Sequence, residues 1–183
     1  FVDVGANVGS YTLVAVAQGL TVIAVEPHFA NYARLCHNLA LNGWLDRALV
    51  LPAVLGDTAA VEWFHYTDLR PGTARHTVGG ARKITHHRQQ VVKQTLDSMA
   101  ALVPPGQAIA VKIDVDGGEA LVLRGGTNLL RDPRLQGIML EMPRPAEPEI
   151  AGFLDAAGWR MAQRFDTRQG QPIPEILYGE FRR

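Results

Sequence analysis

Short apolar runs alternate along this chain with stretches in which apolar residues return every three or four positions, and no other feature narrows the fold as much. Continuous or period-two apolar runs mark strands, and a period near 3.6 marks helices. Strand, helix and strand in repeated succession build a parallel sheet covered by helices. Residues 1–4 read as the first strand, 5–9 as a glycine-bearing turn, and 10–18 as a helix through Leu13, Val14 and Ala17. Residues 21–25 form a second strand that ends at Glu26-Pro27. Phe29, Ala33, Cys36 and Ala40 set the period of a helix over 29–41, which Asn42-Gly43 ends. Strands follow at 48–54 and 61–66. Residues 67–90 lack periodic apolar positions and read as a long loop, after which 91–95 resume a strand.

The second half repeats the pattern. Asp97 is the expected cap of a short helix over 98–102. Residues 108–114 are a buried strand, 118–130 a helix weakened by Gly125-Gly126, 137–141 a strand, and 150–157 a helix ended by Gly158. Segments 159–165 and 176–181 pair as an antiparallel hairpin. The expected fold is α/β: a mostly parallel sheet with helices on both faces and an antiparallel C-terminal edge hairpin, in one domain over 1–183. Phe1 already lies inside the first apolar run, so the chain is expected to lack an N-terminal segment of a longer parent.

Composition removes several functions. Lys plus Arg equals Asp plus Glu, at 18 each, so no global field draws the protein to nucleic acid or to anionic lipid. A single cysteine, Cys36, excludes an internal disulfide and a cysteine-rich metal site, and it reads as a buried small hydrophobe. No apolar run approaches the roughly 20 residues needed to cross a bilayer, and there is no secretory leader, so a cytoplasmic location is expected.

Three motifs carry chemistry. The turn Asp3-Val4-Gly5-Ala6-Asn7-Val8-Gly9 separates a strand from a helix, so the backbone approaches a ligand closely and the helix offers free N–H groups. It is not the dinucleotide fingerprint G-x-G-x-x-G, because Asn7 and Ser10 occupy the later glycine positions, and no Gly-Lys-Ser/Thr follows for a phosphate loop. Glu26 ends the second strand, close to the ~20 residues beyond Gly5 at which an acid meets a ribose. Third, Lys112-Ile113-Asp114-Val115-Asp116-Gly117-Gly118-Glu119 puts Lys112 and Asp114 on one strand face and opens a helix with Glu119. Ligands collect at the carboxyl ends of parallel strands, so Asp114, Asp116 and Glu119 are expected beside Gly5 and Glu26, with Asp116 the most structural of the three.

In this order, these residues resemble the FkbM-family methyltransferases, a Rossmann-like branch of the class I S-adenosylmethionine-dependent enzymes. Further matching pieces are Asn38 through Asn42-Gly43, Thr95-Leu96-Asp97, Leu123-Arg124-Gly125-Gly126 and Leu140-Glu141. Asp116 and Gly118 stand where the family usually shows Glu and often shows Ala. The resemblance implies that Gly5, Ala6, Asn7 and Gly9 line the methionine part of S-adenosylmethionine, with Asp3 near its ammonium. Glu26 would hold the ribose, and residues 53–57, from Ala53 to Asp57, would lie beside the adenine. Asp114 would sit near the sulfonium methyl, with Lys112 and Glu119 shaping the acceptor side.

The function that follows is methyl transfer, most simply to a hydroxyl of a sugar or small natural product. The partner is thus a small-molecule or glycan acceptor, with no nucleic acid and no membrane span. A general base is required, and Asp114, Glu119, Glu141, His65, His76, His86 and His87 are candidates. Metal independence is expected. Residues 69–96 carry Arg70, Arg75, Arg82, Lys83, Arg88 and Lys93 without an acid, as a solvated loop or as an electropositive lid for an acidic acceptor. A non-catalytic module that binds the nucleoside as a scaffold is the alternative, and a dehydrogenase is third.

Overall fold

The computed structural model describes residues 1–72, 77–78, 87–165, 167–168, 171–172 and 176–183. Its strands are β1 (Val2–Val4), β2 (Val22–Val25), β3 (Ala48–Leu51), β4 (Ala53–Gly56), β5 (Ala60–Tyr66), β6 (Thr77–Val78) and β7 (His87–Thr95). They continue with β8 (Ile109–Ile113), β9 (Leu135–Pro143), β10 (Arg160–Phe165), β11 (Thr167–Arg168), β12 (Gln171–Pro172) and β13 (Ile176–Arg182). The helices are α1 (Ser10–Ala17), α2 (Phe29–Leu41), α3 (Leu96–Ala100), α4 (Glu119–Arg124) and α5 (Glu147–Ala156).

The main sheet runs β10-β13-β9-β8-β1-β2-β3. Its four inner pairings from β9 to β3 join parallel strands, and β13 and β10 close it as the expected antiparallel hairpin. The chain winds outward from β1 through β2 to β3, then crosses back to β8 on the other side of β1. The β1/β8 junction is therefore the switch point, where an α/β sheet leaves a crevice at its carboxyl edge.

Helices cover both faces because side chains alternate along each strand. In β2, Val22 and Ala24 pack with Ala15, Val16, Leu35 and Leu39 of α1 and α2. Ile23 and Val25 point the other way, into the larger core with Leu96, Val122, Leu123 and Leu154. Each fully buried leucine contributes about 1.5–3 kcal/mol of transfer free energy. Trp159 closes that core, its indole N–H donating to the Leu130 carbonyl at 2.9 Å.

Five readings of the sequence change. The strand expected over 48–54 is two strands: Pro52, which has no N–H for a ladder, lies where the chain leaves the main sheet and enters a second one, ordered β4-β7-β5-β6. The loop expected over 67–90 gives back its last residues to β7, which pairs antiparallel with β5 from Ala60↔Lys93 to Tyr66↔His87. His87 to Gln90 show no apolar alternation because Arg88 and Gln90 face solvent. In α1 the buried positions are Thr12, Ala15 and Val16, and Val14 is exposed. In α2 they are Asn31, Leu35 and Leu39, a stripe one step round from the expected one, which leaves Phe29 exposed and Cys36 partly exposed. Lastly, α3 begins two residues earlier, with Thr95 and Ser98 as a reciprocal capping box. Asp97 instead accepts from Asn128 and Leu129 (2.8 Å to the Leu129 N–H) at a separate 3₁₀ turn, since the helix expected over 118–130 already ends at Gly125.

Candidate functional site

The turn after β1 is fixed from three sides. Gly5 and Ala6 both donate to the Val25 carbonyl, at 3.0 and 3.1 Å, which ties the turn to the end of β2. Gly5 has φ 75°, and a Cβ there would stand 1.8 Å from the Asp114 carbonyl oxygen, so the turn also lies directly on the end of β8. Gly9 has φ 97°, and a Cβ would fall 2.3 Å from Leu35 Cδ1 of α2. From that helix Asn38 Nδ2 donates to the Val8 carbonyl at 2.9 Å. Glycine is required at both positions by backbone conformation and by close approach together.

Glu26 stands at the tip of β2, 4% exposed. Its Oε2 accepts from the Asn7 N–H at 2.8 Å, and its Oε1 accepts from the His28 N–H at 2.9 Å and from Asn31 Nδ2 at 3.4 Å. Burial pushes its pKa up, against the pull of these donors and of Lys112. Behind it, His28 Nδ1 accepts from the Asn31 N–H at 3.4 Å and so carries no proton. The proton is then on Nε2, which donates to the Asp68 carbonyl at 2.9 Å. Asn31 Oδ1 accepts from the Gly72 N–H at 2.7 Å, and Gln89 Nε2 donates to the Pro27 carbonyl at 2.8 Å. The His28 ring meets Tyr66 edge-on at 4.8 Å. The second sheet is thereby seated on the tip of β2.

At the tip of β8 the arrangement is ionic. Lys112 is in register with Asp3 of β1, and its ammonium lies 3.4 Å from Asp3 Oδ1, 3.4 Å from Asp114 Oδ2 and 2.8 Å from the Gly5 carbonyl. The Tyr11 ring centroid is 5.3 Å away. Asp3 is fully buried, with Thr12 donating to its Oδ2 at 2.7 Å, so it lies beneath the turn rather than in the opening. The Asp114 side chain keeps 33% of its exposure. Burial raises its pKa, and the adjacent Lys112 opposes that rise. Glu119 is buried and folds back on its own loop, its Oε1 accepting from the Gly117 N–H at 2.9 Å and the Val115 N–H at 3.4 Å. Burial lifts its pKa as well. Ile113↔Leu140 pairing puts Glu141 level with Asp114.

The expected residues thus divide. Asp3, Gly5, Ala6, Asn7, Gly9, Glu26, Lys112 and Asp114 come together. Ala53 is packed in the core at the start of β4. Asp57 lies past the far end of β4, beside Gly125 and 3.6 Å from Lys93, so its ion pair is with β7 rather than with the glycine turn. Of the basic stretch, Arg70 pairs with Asp68, Arg88 stacks on Trp63 at 4.4 Å, and Lys93 approaches Asp57 and Glu62; Arg75, Arg82 and Lys83 lie outside the described residues, as do His76 and His86. His87 stacks on Tyr66 at 5.7 Å. His28, Asn31, Thr12 and Tyr11 were missed. For Asn31 a signal existed: it precedes Leu35 and Leu39 at steps of four, on the face a helix buries, where a polar side chain needs partners.

The chemistry present suits a nucleoside carrying an amino acid: a glycine turn packed tightly onto β8 and α2, and beside it a carboxylate with both oxygens oriented by N–H groups. A Rossmann-like sheet with such a turn at its switch point defines the nucleoside-cofactor-binding class of α/β proteins. The methyltransferase FkbM domain matches residues 3–162, and the chain belongs to the FkbM methyltransferase family, whose cofactor is S-adenosylmethionine. Among solved structures it is similar to the FkbM methyltransferase of Methylobacillus flagellatus, with a TM-score of 0.63 at 15% identity over 97% of this chain and 42% of that one. It is also similar to Streptococcus pneumoniae Sp1610 in complex with S-adenosyl-L-methionine, with a TM-score of 0.58 at 14% identity over 99% of this chain and 64% of that one. A third is precorrin-6y C5,15-methyltransferase of Geobacter metallireducens, at 0.55, 13%, 98% and 76%. This chain thus spans less than half of the first and under two thirds of the second. No curated protein matches it.

Proposed function

We propose that this chain binds S-adenosylmethionine across the tips of β1, β2 and β8 and transfers its methyl group to a hydroxyl oxygen of a sugar or small natural product. The observation that supports this is the contact of Gly5 with the Asp114 backbone, which brings the glycine turn, Glu26 and Asp114 to the same edge of the sheet. The bound cofactor supplies an electrophilic methyl carbon. Glu26 accepts hydrogen bonds from the ribose hydroxyls with oxygens already oriented by Asn7 and His28. Asp114, partly exposed beside Lys112 and with its pKa raised by burial, takes the proton of the acceptor hydroxyl. Lys112 holds Asp114 and the Gly5 carbonyl in one geometry. Asp3 supports Lys112 from below. A small acceptor, rather than nucleic acid, suits a chain of zero net charge.

Calorimetry with S-adenosylmethionine and S-adenosylhomocysteine tests the binding half, and label transfer across a panel of sugars and hydroxylated natural products tests the chemistry. Asp114→Asn is expected to leave cofactor affinity nearly unchanged and to slow transfer by roughly 10²–10⁴-fold. A chelator is expected to leave turnover intact. Folded protein that gives no heat with either nucleoside sinks the proposal.

A further inference from the structure

Asn31 belongs to no motif, yet its amide joins two parts of the molecule. Nδ2 points at Glu26 Oε1, 3.4 Å away, and Oδ1 receives the Gly72 N–H at 2.7 Å. The residue is 1% exposed and sits in the first turn of α2. A planar amide cannot rotate one end without moving the other, so the direction of the Glu26 carboxylate and the position of the Gly72 backbone are mechanically linked. A second bond, from His28 Nε2 to the Asp68 carbonyl, holds the start of the same segment. The segment 67–72 leads out of β5, so whatever fixes Glu26 also fixes the exit of the second sheet.

We infer that Asn31 is a positioning residue: it aims Glu26 at the ribose and transmits filling of that site to the backbone of 67–72. This rests on the cofactor reading above. Ligand hydroxyls that donate to Glu26 hold the carboxylate still, and Asn31 then holds Gly72 more firmly. Asn31→Asp keeps an oxygen for the Gly72 N–H but replaces the donor facing Glu26 by a like charge, which turns the carboxylate away. The two ends of the linkage are thus separated by one atom change.

The experiment compares S-adenosylhomocysteine with its 2′,3′-dideoxy analogue by calorimetry, on wild type and Asn31→Asp, with amide exchange followed at Gly72. Bonds to a charged acceptor make the wild type prefer the hydroxylated ligand by roughly tenfold to a hundredfold. In Asn31→Asp that preference falls about tenfold, while S-adenosylhomocysteine no longer slows Gly72 exchange beyond its ligand-free rate. A merely structural role would weaken both ligands equally and leave the preference untouched. Asn31→Leu, matched in shape and lacking both polar ends, is expected to lose the preference and the ligand-free protection of Gly72 together. If wild type shows the preference and both variants keep it, or if the ligand never slows Gly72 exchange in wild type, the coupling is refuted and the cofactor reading stands. If wild type does not bind S-adenosylhomocysteine, the cofactor reading falls and the coupling with it.

Discussion

The tips of β2 and β8 each carry a carboxylate, Glu26 buried and Asp114 partly exposed, and they are held in opposite ways. Glu26 is surrounded by neutral donors: two backbone N–H groups and one side-chain amide. Asp114 leans instead on one cation, Lys112, which it shares with Asp3. Neutral N–H donors fix direction without supplying a full charge, which suits a group that must recognise hydroxyls. A shared cation leaves a site with two carboxylates and one ammonium, in which the more exposed acid is the one free to exchange a proton. Under the proposed function, one tip recognises the ribose and the other takes the acceptor's proton.

The largest expected effect would abolish the distinction. Gly5→Ala puts a Cβ onto the Asp114 carbonyl at a positive φ, and both tips must move apart. Overpacking and left-handed strain together cost roughly 3 kcal/mol or more, read as a drop in the denaturant midpoint and loss of S-adenosylhomocysteine binding. Next comes Lys112→Met, which leaves buried Asp3 and Asp114 facing each other. Breaking a buried pair this way costs about 3–5 kcal/mol. Because the loss comes from two carboxylates left without their cation, the gap to wild type should narrow as pH is lowered, visible in paired melts of the two proteins. A gap that fails to narrow would remove the ionic account of the β8 tip.

Glu26→Gln is smaller in stability and sharper in function. Its amide must present N–H to one of the N–H groups that now donate to the carboxylate, at a cost of about 1–3 kcal/mol, and ribose recognition is lost, which calorimetry detects. The fourth prediction concerns wild type. Glu26, Asp114 and Glu119 all have pKa values raised by burial, so above the ordinary carboxylate range the native state binds more protons than the unfolded one. Stability therefore falls as pH rises from that range through the raised values. A thermal melt series that rises across this window would contradict the burial of all three. Smallest is Asp68→Asn: the exposed Arg70 pair holds Asp68 down to about 2, so its contribution is present above the ordinary value and lost only as pH falls through about 2. Cofactor affinity should not respond.

The alternation of strand and helix, the glycine turn, Glu26 at the end of β2 and the Lys112–Asp114 strand could be found in the sequence because each is local. A positive φ, a run of apolar residues or a spacing of four is set by neighbours a few positions away. Only the folded chain decided that Pro52 passes the backbone to a second sheet, that His87 to Gln90 join β7, and that Asp97 serves the turn at Leu129. It alone decided that Lys112 is shared by Asp3 and Asp114, and that Asn31 stands between Glu26 and Gly72. Partners of that kind are remote in sequence, and which polar groups meet depends on strand register and helix rotation. A one-step rotation of α2 would have buried Cys36 and left Glu26 without its amide.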